Sequence, residues 1–420
     1  MNKKHSYLVA LLKSELVAAM GCTEPIAIAY ASAKAREVLG VFPDRAEISV
    51  SGNIIKNAKS VVVPHTGKMV GIESALVAGV VAGRSDAMLE VLSYVTEAEI
   101  DEMKRVRETL PVTLSLFEGG CAFEIDVKLF SADNSAEVRI TGRHTNLTKI
   151  KKNGKVVFEG SDAGDFCLPI EPITVREIVD FADEADVSAL SELFDRQIEY
   201  NMAIAEEGLK NEYGANIGKV YLTAYSNDIA IKAKAYAAAA SDARMNGCEM
   251  PVIINSGSGN QGITASVPVI VYAREMGVSK EELYRALIVS NLTTIHVKRG
   301  IGTLSAYCGA VAAGAGAGCG VAYLHGGKYR EIAHTLVNAL AIDSGLICDG
   351  AKASCAAKIA TAVENGLLGF NLFRSGNQFF GGDGIVKKGV ERTIESIARL
   401  ANDGMKETDK EILKIMLSDK

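Results

Sequence analysis

The sequence predicts an α+β fold: N-terminal helices leading into a small α/β sheet domain, then a mostly all-α C-terminal domain. Three observations predict it. Residues 5–40 carry apolar side chains at helical spacing on both sides of a break at Gly21. Residues 41–160 alternate apolar and polar positions between turn signals such as Asn153-Gly154. Beyond about residue 175, apolar helical patterns alternate with glycine-rich loops, and the chain's 40 glycines cluster in this half. At 420 residues the chain exceeds one ordinary core, so separate domains are expected. The divisions fall at 1–40, 41–165 and 166–420, with segment 1–40 expected to pack on the C-terminal domain.

In chain order, residues 5–20 place Leu8, Leu11, Leu12, Leu16 and Val17 on one helical face, and Gly21 stops that helix. Thr23 can cap the next helix, and Pro25 suits its first turn because the missing N–H is not needed there. That helix runs to Gly40. "AEISVSGNIIKN" and "SVVVPHTG" read as strands around turns, "ALVAGVVAG" as a short helix ending at Gly83, and "AEIDEMKRVRETL" as a charged helix. The runs between "VTLSLF" and "KVVFEG" read as an antiparallel sheet. "SDAGDFCLPIEPIT" (161–174) concentrates Asp, Gly and Pro and reads as a hinge. After it come at least two amphipathic helices, then the alanine-rich "AIKAKAYAAAASDARMNG".

A net charge of −6 and a pI near 5.7 argue against a general nucleic-acid or anionic-membrane binder. Lys13 and Glu15 interrupt the first apolar run, so it is not read as a signal peptide. The uncharged stretch 300–324 is of membrane length. It is rich in Gly and Ala and poor in Leu, Ile and Phe, and therefore reads as a buried core segment with close backbone packing. The eight cysteines of so long a chain read as reduced cytoplasmic thiols.

Two loops suit anions. "NSGSGNQG" (255–262) offers free backbone N–H groups with Ser256, Ser258, Asn260 and Gln261, without a Walker ending or a dinucleotide fingerprint. "PHTGK" (64–68) combines His65, Thr66, the Gly67 N–H and Lys68, a set that suits a carboxylate. Cys308, Cys348 and Cys355 lie in small-residue or polar loop sequence, whereas structural cysteines such as Cys319 sit in apolar helices. Such a three-thiolate set leaves a metal centre one open position, which zinc or an iron–sulfur cluster could use.

Taken in order, "GCTEP", "HTG", "GSGNQG", "HVKRGIGTLSAYCGAV", "ICDGAKASCAAK" and "GGDGI" resemble the L-cysteine desulfidase family, which is related to the α-chain of iron–sulfur L-serine dehydratases. The resemblance runs over essentially the whole chain. It implies a lyase without pyridoxal phosphate, carrying a 4Fe–4S cluster on Cys308, Cys348 and Cys355 with the fourth iron open to substrate. It also implies that Cys22 is the catalytic thiol. The implied net reaction is L-cysteine plus water to pyruvate, ammonia and sulfide, and the same architecture could eliminate hydroxide from L-serine. At a helix start the dipole would lower the Cys22 pKa, giving a thiolate base at neutral pH, with Glu24 orienting it or favouring the helix start. His65, Thr66 and Gly67 would hold the substrate carboxylate. Ser256, Ser258 and Asn260 would hold its carboxylate or ammonium. Lys298, ten residues before Cys308, would tune the cluster charge or pair with a substrate carboxylate. Two other readings stay open: a zinc or thiol hydrolase with His65 as base to Cys22, and a non-catalytic amino-acid-binding or redox-sensing protein. The expected partner is a small amino acid, and the apolar helical half offers a face for homo-oligomers.

Overall fold

A computed structural model describes residues 3–117, 122–161, 171–226, 228–302 and 305–418. Cys121 and Cys167, and most of the expected hinge, lie outside the described residues.

The first part contains α1 (Lys3–Glu15), β1 (Ala18–Met20), α2 (Thr23–Leu39), β2 (Arg45–Val50), α3 (Gly52–Ala58), α4 (Ile72–Ala82), α5 (Glu97–Thr109) and strands β3 (Val112–Leu116), β4 (Glu124–Ser131), β5 (Asn134–Thr141), β6 (Leu147–Lys152) and β7 (Lys155–Glu159). The six-stranded sheet has the order β3-β2-β4-β5-β6-β7. It is mixed rather than purely antiparallel: β3 runs parallel to β2, because α3, α4 and α5 intervene and return the chain to the same end. The buried Ile48, Val127 and Val138 share one register line across β2, β4 and β5. α2 packs on this sheet and on α4. Gly79 permits that close approach, since a Cβ there would lie 2.1 Å from the Ala29 carbonyl oxygen.

Two local expectations change. Residues 16–20 do not continue the first helix; Ala18–Met20 instead pair antiparallel with β8 (Pro251–Ile253), Ala19 opposite Val252. Cross-chain pairing overrides local helical spacing here. Residues 52–58 form a helix that buries Ile54 and Ile55, and the "SVVVPHTG" stretch keeps only one bridge, Val62 to Val70. Segment 1–40 thus divides: β1 joins the C-terminal half, α1 touches it, and α2 covers the sheet.

The rest comprises α6 (Val175–Glu184), α7 (Ser191–Lys210), α8 (Ile217–Ala224), α9 (Ile229–Met245), α10 (Gly259–Met276), α11 (Lys280–Ile301), α12 (Gly309–Leu324), α13 (Tyr329–Ile342), α14 (Cys355–Arg374), α15 (Val390–Arg399) and α16 (Lys406–Ser418). α12 is the central helix, wrapped by α10, α11, α13 and α14. Its glycines explain the weak hydrophobicity of the sequence there. A Cβ on Gly314 would lie 2.2 Å from the Ala362 carbonyl oxygen, and one on Gly318 would lie 2.3 Å from that of Gly366. Backbone contact with α14 therefore replaces large side chains. Among the described residues no helix is long and apolar enough to cross a membrane.

Candidate active site

Four helices begin at one cavity. Cys22 is the N-cap of α2, Ser258 of α10 and Cys308 of α12, while Ser354 caps α14 and Cys355 is its first residue. None of these four cap side chains makes a capping hydrogen bond to the backbone of its helix, the Cys22 thiol donating instead to the Glu24 side chain. By contrast α5, α6 and α11 start with complete capping boxes. The four starts around the cavity therefore present open N–H groups and positive dipole ends to whatever fills it.

The local chain path explains each thiol. Gly21 adopts a left-handed φ of +52°, turning β1 into α2; a Cβ at this position would stand 2.5 Å from Cγ of Pro64. The Cys308 and Cys348 segments pair through a Tyr307–Ile347 bridge. The Cys308 N–H donates to Leu346 O at 3.0 Å and the Cys348 N–H to Ala306 O at 2.7 Å. Two cysteines forty residues apart thereby face the same space. The cavity, of about 120 Å³, is bordered by Cys22, all three of Cys308, Cys348 and Cys355, and the glycine loop. Among the described residues no three His, Cys, Asp or Glu side chains gather closely enough to bind one ion. Cys308 and Cys348 share a hydrogen bond, and Cys355 borders the same cavity.

Their surroundings are cationic. Lys56 and Lys298 are buried, and Lys358 lies on the cavity wall. The Cys348 thiol is pushed down, first by the hydrogen bond from Cys308 and then by the Lys56 and Lys298 charges, against burial. Cys308 keeps the shared proton and is pushed up. Burial lowers Lys298 to about 8, while the Cys348 and Cys308 sulfurs work the other way.

Cys22 differs. It does not become the acidic thiol expected of a helix start. Burial, then the adjacent Glu24 charge, pushes it well above the ordinary thiol range. Its Sγ donates to Glu24 Oε2 at 3.0 Å. Glu24 also accepts from Thr23 Oγ1 at 3.2 Å and Asn57 Nδ2 at 3.2 Å. His144 Nε2 stands 4.0 Å from its Oε1. Burial alone would raise Glu24, but His144 and the Cys22 hydrogen bond outweigh it and hold the carboxyl at about 2.

The remaining expected residues separate. Ser256, Ser258, Asn260 and Lys298 border the cavity. His65, Thr66 and Gly67 do not. His65 pairs with Glu249, its Nδ1 3.4 Å from Oε2, and Thr66 Oγ1 closes a turn by donating to Val63 O at 2.7 Å. This turn packs against Gly21 through Pro64, outside the lining of the cavity that Cys22 borders, and His65 is not the histidine on that lining. That histidine is His144, from the β5–β6 turn of the sheet domain, where nothing local in the sequence marks it. Arg244, at the end of α9, was also missed. Its only sequence signal is an arginine inside an alanine-rich helix, and it is 4% exposed. His296 is a packed residue, bonded to Glu391 Oε2 at 2.7 Å. Cys248 and Cys319 are buried away from the cavity lining.

The serine dehydratase alpha chain family model matches residues 86–414, a span that contains Cys308, Cys348 and Cys355 but not Cys22. A UPF0597 protein of Desulfitobacterium hafniense is 55% identical over 414 residues, covering 97% of this chain and 96% of the relative. One from Lachnoclostridium phytofermentans is 49% identical over 413 residues, covering 98% and 99%. Another, from Treponema denticola, is 46% identical over 440 aligned positions, covering 100% and 99%.

Proposed function

Since this chain belongs to the serine dehydratase alpha chain family, we propose that it is a lyase removing the β-substituent of a small L-amino acid. Its substrate is L-cysteine, and its products are pyruvate, ammonia and sulfide. The observation that carries this reading is the convergence of four uncapped helix starts and three thiols on one cavity walled by buried cations. Such a cavity accepts thiolates, a carboxylate and a departing anion together. Cys308, Cys348 and Cys355 would hold a 4Fe–4S cluster, which would supply Lewis-acid chemistry for the leaving sulfur.

The chain's own residues do the rest. Cys22 receives the substrate Cα proton. As a resting thiol it first gives up its own proton along its hydrogen bond to Glu24 and on to His144. That proton later joins the departing hydrosulfide, so charge and protons balance. The loop of Ser256, Ser258 and Asn260 frames the end of the cavity that takes the substrate's polar groups, and Lys56 and Lys298 offset the thiolate charge. Water then hydrolyses the aminoacrylate to pyruvate and ammonia.

L-Serine dehydration at the same site is the second reading, favoured by the name of the matching family. The deciding assay uses protein purified and iron-loaded without oxygen. Sulfide release from L-cysteine well above pyruvate release from L-serine supports the first reading, and the reverse ratio the second. Iron-loaded protein that turns over neither amino acid would sink both.

A further inference from the structure

Arg244 is a buried cation that forms no direct salt bridge among the described residues, the Glu24 carboxylate acting on it only at longer range. A guanidinium keeps its charge, and burying it unpaired is costly. Its Nη1 donates to Asn260 Oδ1 at 3.1 Å, which fixes the fork. Its Nε finds no partner among the described residues. The side chain lies against the first residue of α10: a Cβ on Gly259 would stand 2.2 Å from that Nε. Glycine at 259 is thus what lets an arginine reach the cavity wall beside a helix start. The Gln261 Oε1, on the same wall, is also buried without a partner among the described residues. One unfilled donor, packed against Gly259, and one unfilled acceptor, packed against Gly309, therefore belong to two residues that line one cavity together with Cys22 and the three thiols.

We propose that Arg244 is the receptor for the α-carboxylate of an amino-acid ligand, with the α10 N-terminus sharing the charge and the Gln261 carbonyl oxygen accepting the ammonium. The inference rests on the lyase reading for the identity of the ligand as an α-amino acid. It goes beyond that reading by naming the group that selects for a free carboxylate, and the serine loop becomes the frame that holds Arg244. A planar fork meets a carboxylate with two parallel hydrogen bonds, which an ammonium or a thiol cannot use in the same way.

The test uses L-alanine, which has no leaving group, and L-alaninamide, which has no carboxylate. Binding of each is measured by calorimetry on the full chain, both metal-free and iron-loaded. Wild type is expected to prefer L-alanine by about tenfold to a hundredfold, the worth of a charge-assisted pair. Arg244→Gln should erase that preference. Arg244→Lys, which keeps the charge and protects the fold, should retain part of it and weaken L-alanine binding about tenfold. Arg244→Gln that keeps the preference would overturn the assignment, as would wild type that binds both ligands equally or neither. Loss of iron in Arg244→Gln with the preference intact would also overturn it and give Arg244 to the sulfurs. A wild type that prefers L-alanine but releases neither sulfide nor pyruvate upholds this site while rejecting the lyase.

Discussion

The cavity has one corner at Cys22 and another at Cys308, Cys348 and Cys355, and the same side chain meets opposite surroundings in the two. At Cys22 the nearest charge is a carboxylate, and the thiol keeps its proton as a donor to Glu24. At the trio lysine charges act on the sulfurs; the Cys348 thiol is eased toward the thiolate, while Cys308 and Cys355 are pushed up, chiefly by the shared proton and by burial respectively. All four cysteines lie at helix starts or in a loop beside them. The difference teaches that the helix dipole does not by itself decide the state of a buried thiol. Burial and the nearest full charge outweigh it. Metal ligation would remove a thiol proton, which the lysine charges beside Cys348 favour. A residue that must receive a proton during a reaction needs the other corner, with an acceptor in line.

The sharpest way to break this contrast is to exchange the trio. Cys348→Ser should abolish iron retention and product release together, measured by iron content and absorbance of anaerobic protein. A variant with normal iron would remove the trio from the metal site. Cys22→Ala is expected to keep the iron and lower kcat by about 10²- to 10⁴-fold, the range of a lost proton-transfer group. Unaltered turnover in this variant would return Cys22 to a packing role.

Glu24 sharpens the contrast through acid stability. Its folded pKa of about 2 lies below the ordinary value of 4.5. Its contribution is therefore present above pH 4.5 and is lost as pH falls toward 2, about 3 kcal/mol in all. Urea midpoints over that interval should fall in wild type and flatten in Glu24→Gln; parallel slopes would contradict the depressed pKa. The smallest effect is expected from Lys56→Met. Removing this cation should move alkylation of Cys348 in metal-free protein to higher pH by about one unit, while Cys22 stays slow. An unchanged profile would mean that Cys308 alone sets the Cys348 state.

Parts of both the fold and the site are legible in the chain order. The break at Gly21, the stop at Gly40 and the burial of the glycine-rich stretch 309–324 follow from backbone rules that act within a few residues. The loop of Ser256, Ser258 and Asn260 at a helix start is legible for the same reason, since a small-residue loop before a helix is a local pattern. The strand at 18–20 was not legible, because its partner lies more than two hundred residues away. Nor was the misplacement of His65: a His-Thr-Gly turn looks the same whether it faces a ligand or supports a neighbouring glycine.

By itself the sequence determined where helices start and stop, which face of each is apolar, and which thiols lie in polar loops. Those properties depend on φ, on missing side chains and on spacing along the chain. Only the tertiary structure decided that four helix starts meet at one cavity, that His144 and not His65 stands near Glu24, and that Arg244 comes to the wall beside Asn260. Those meetings depend on packing between segments a hundred or more residues apart, and the charges that set each thiol arrive with that packing.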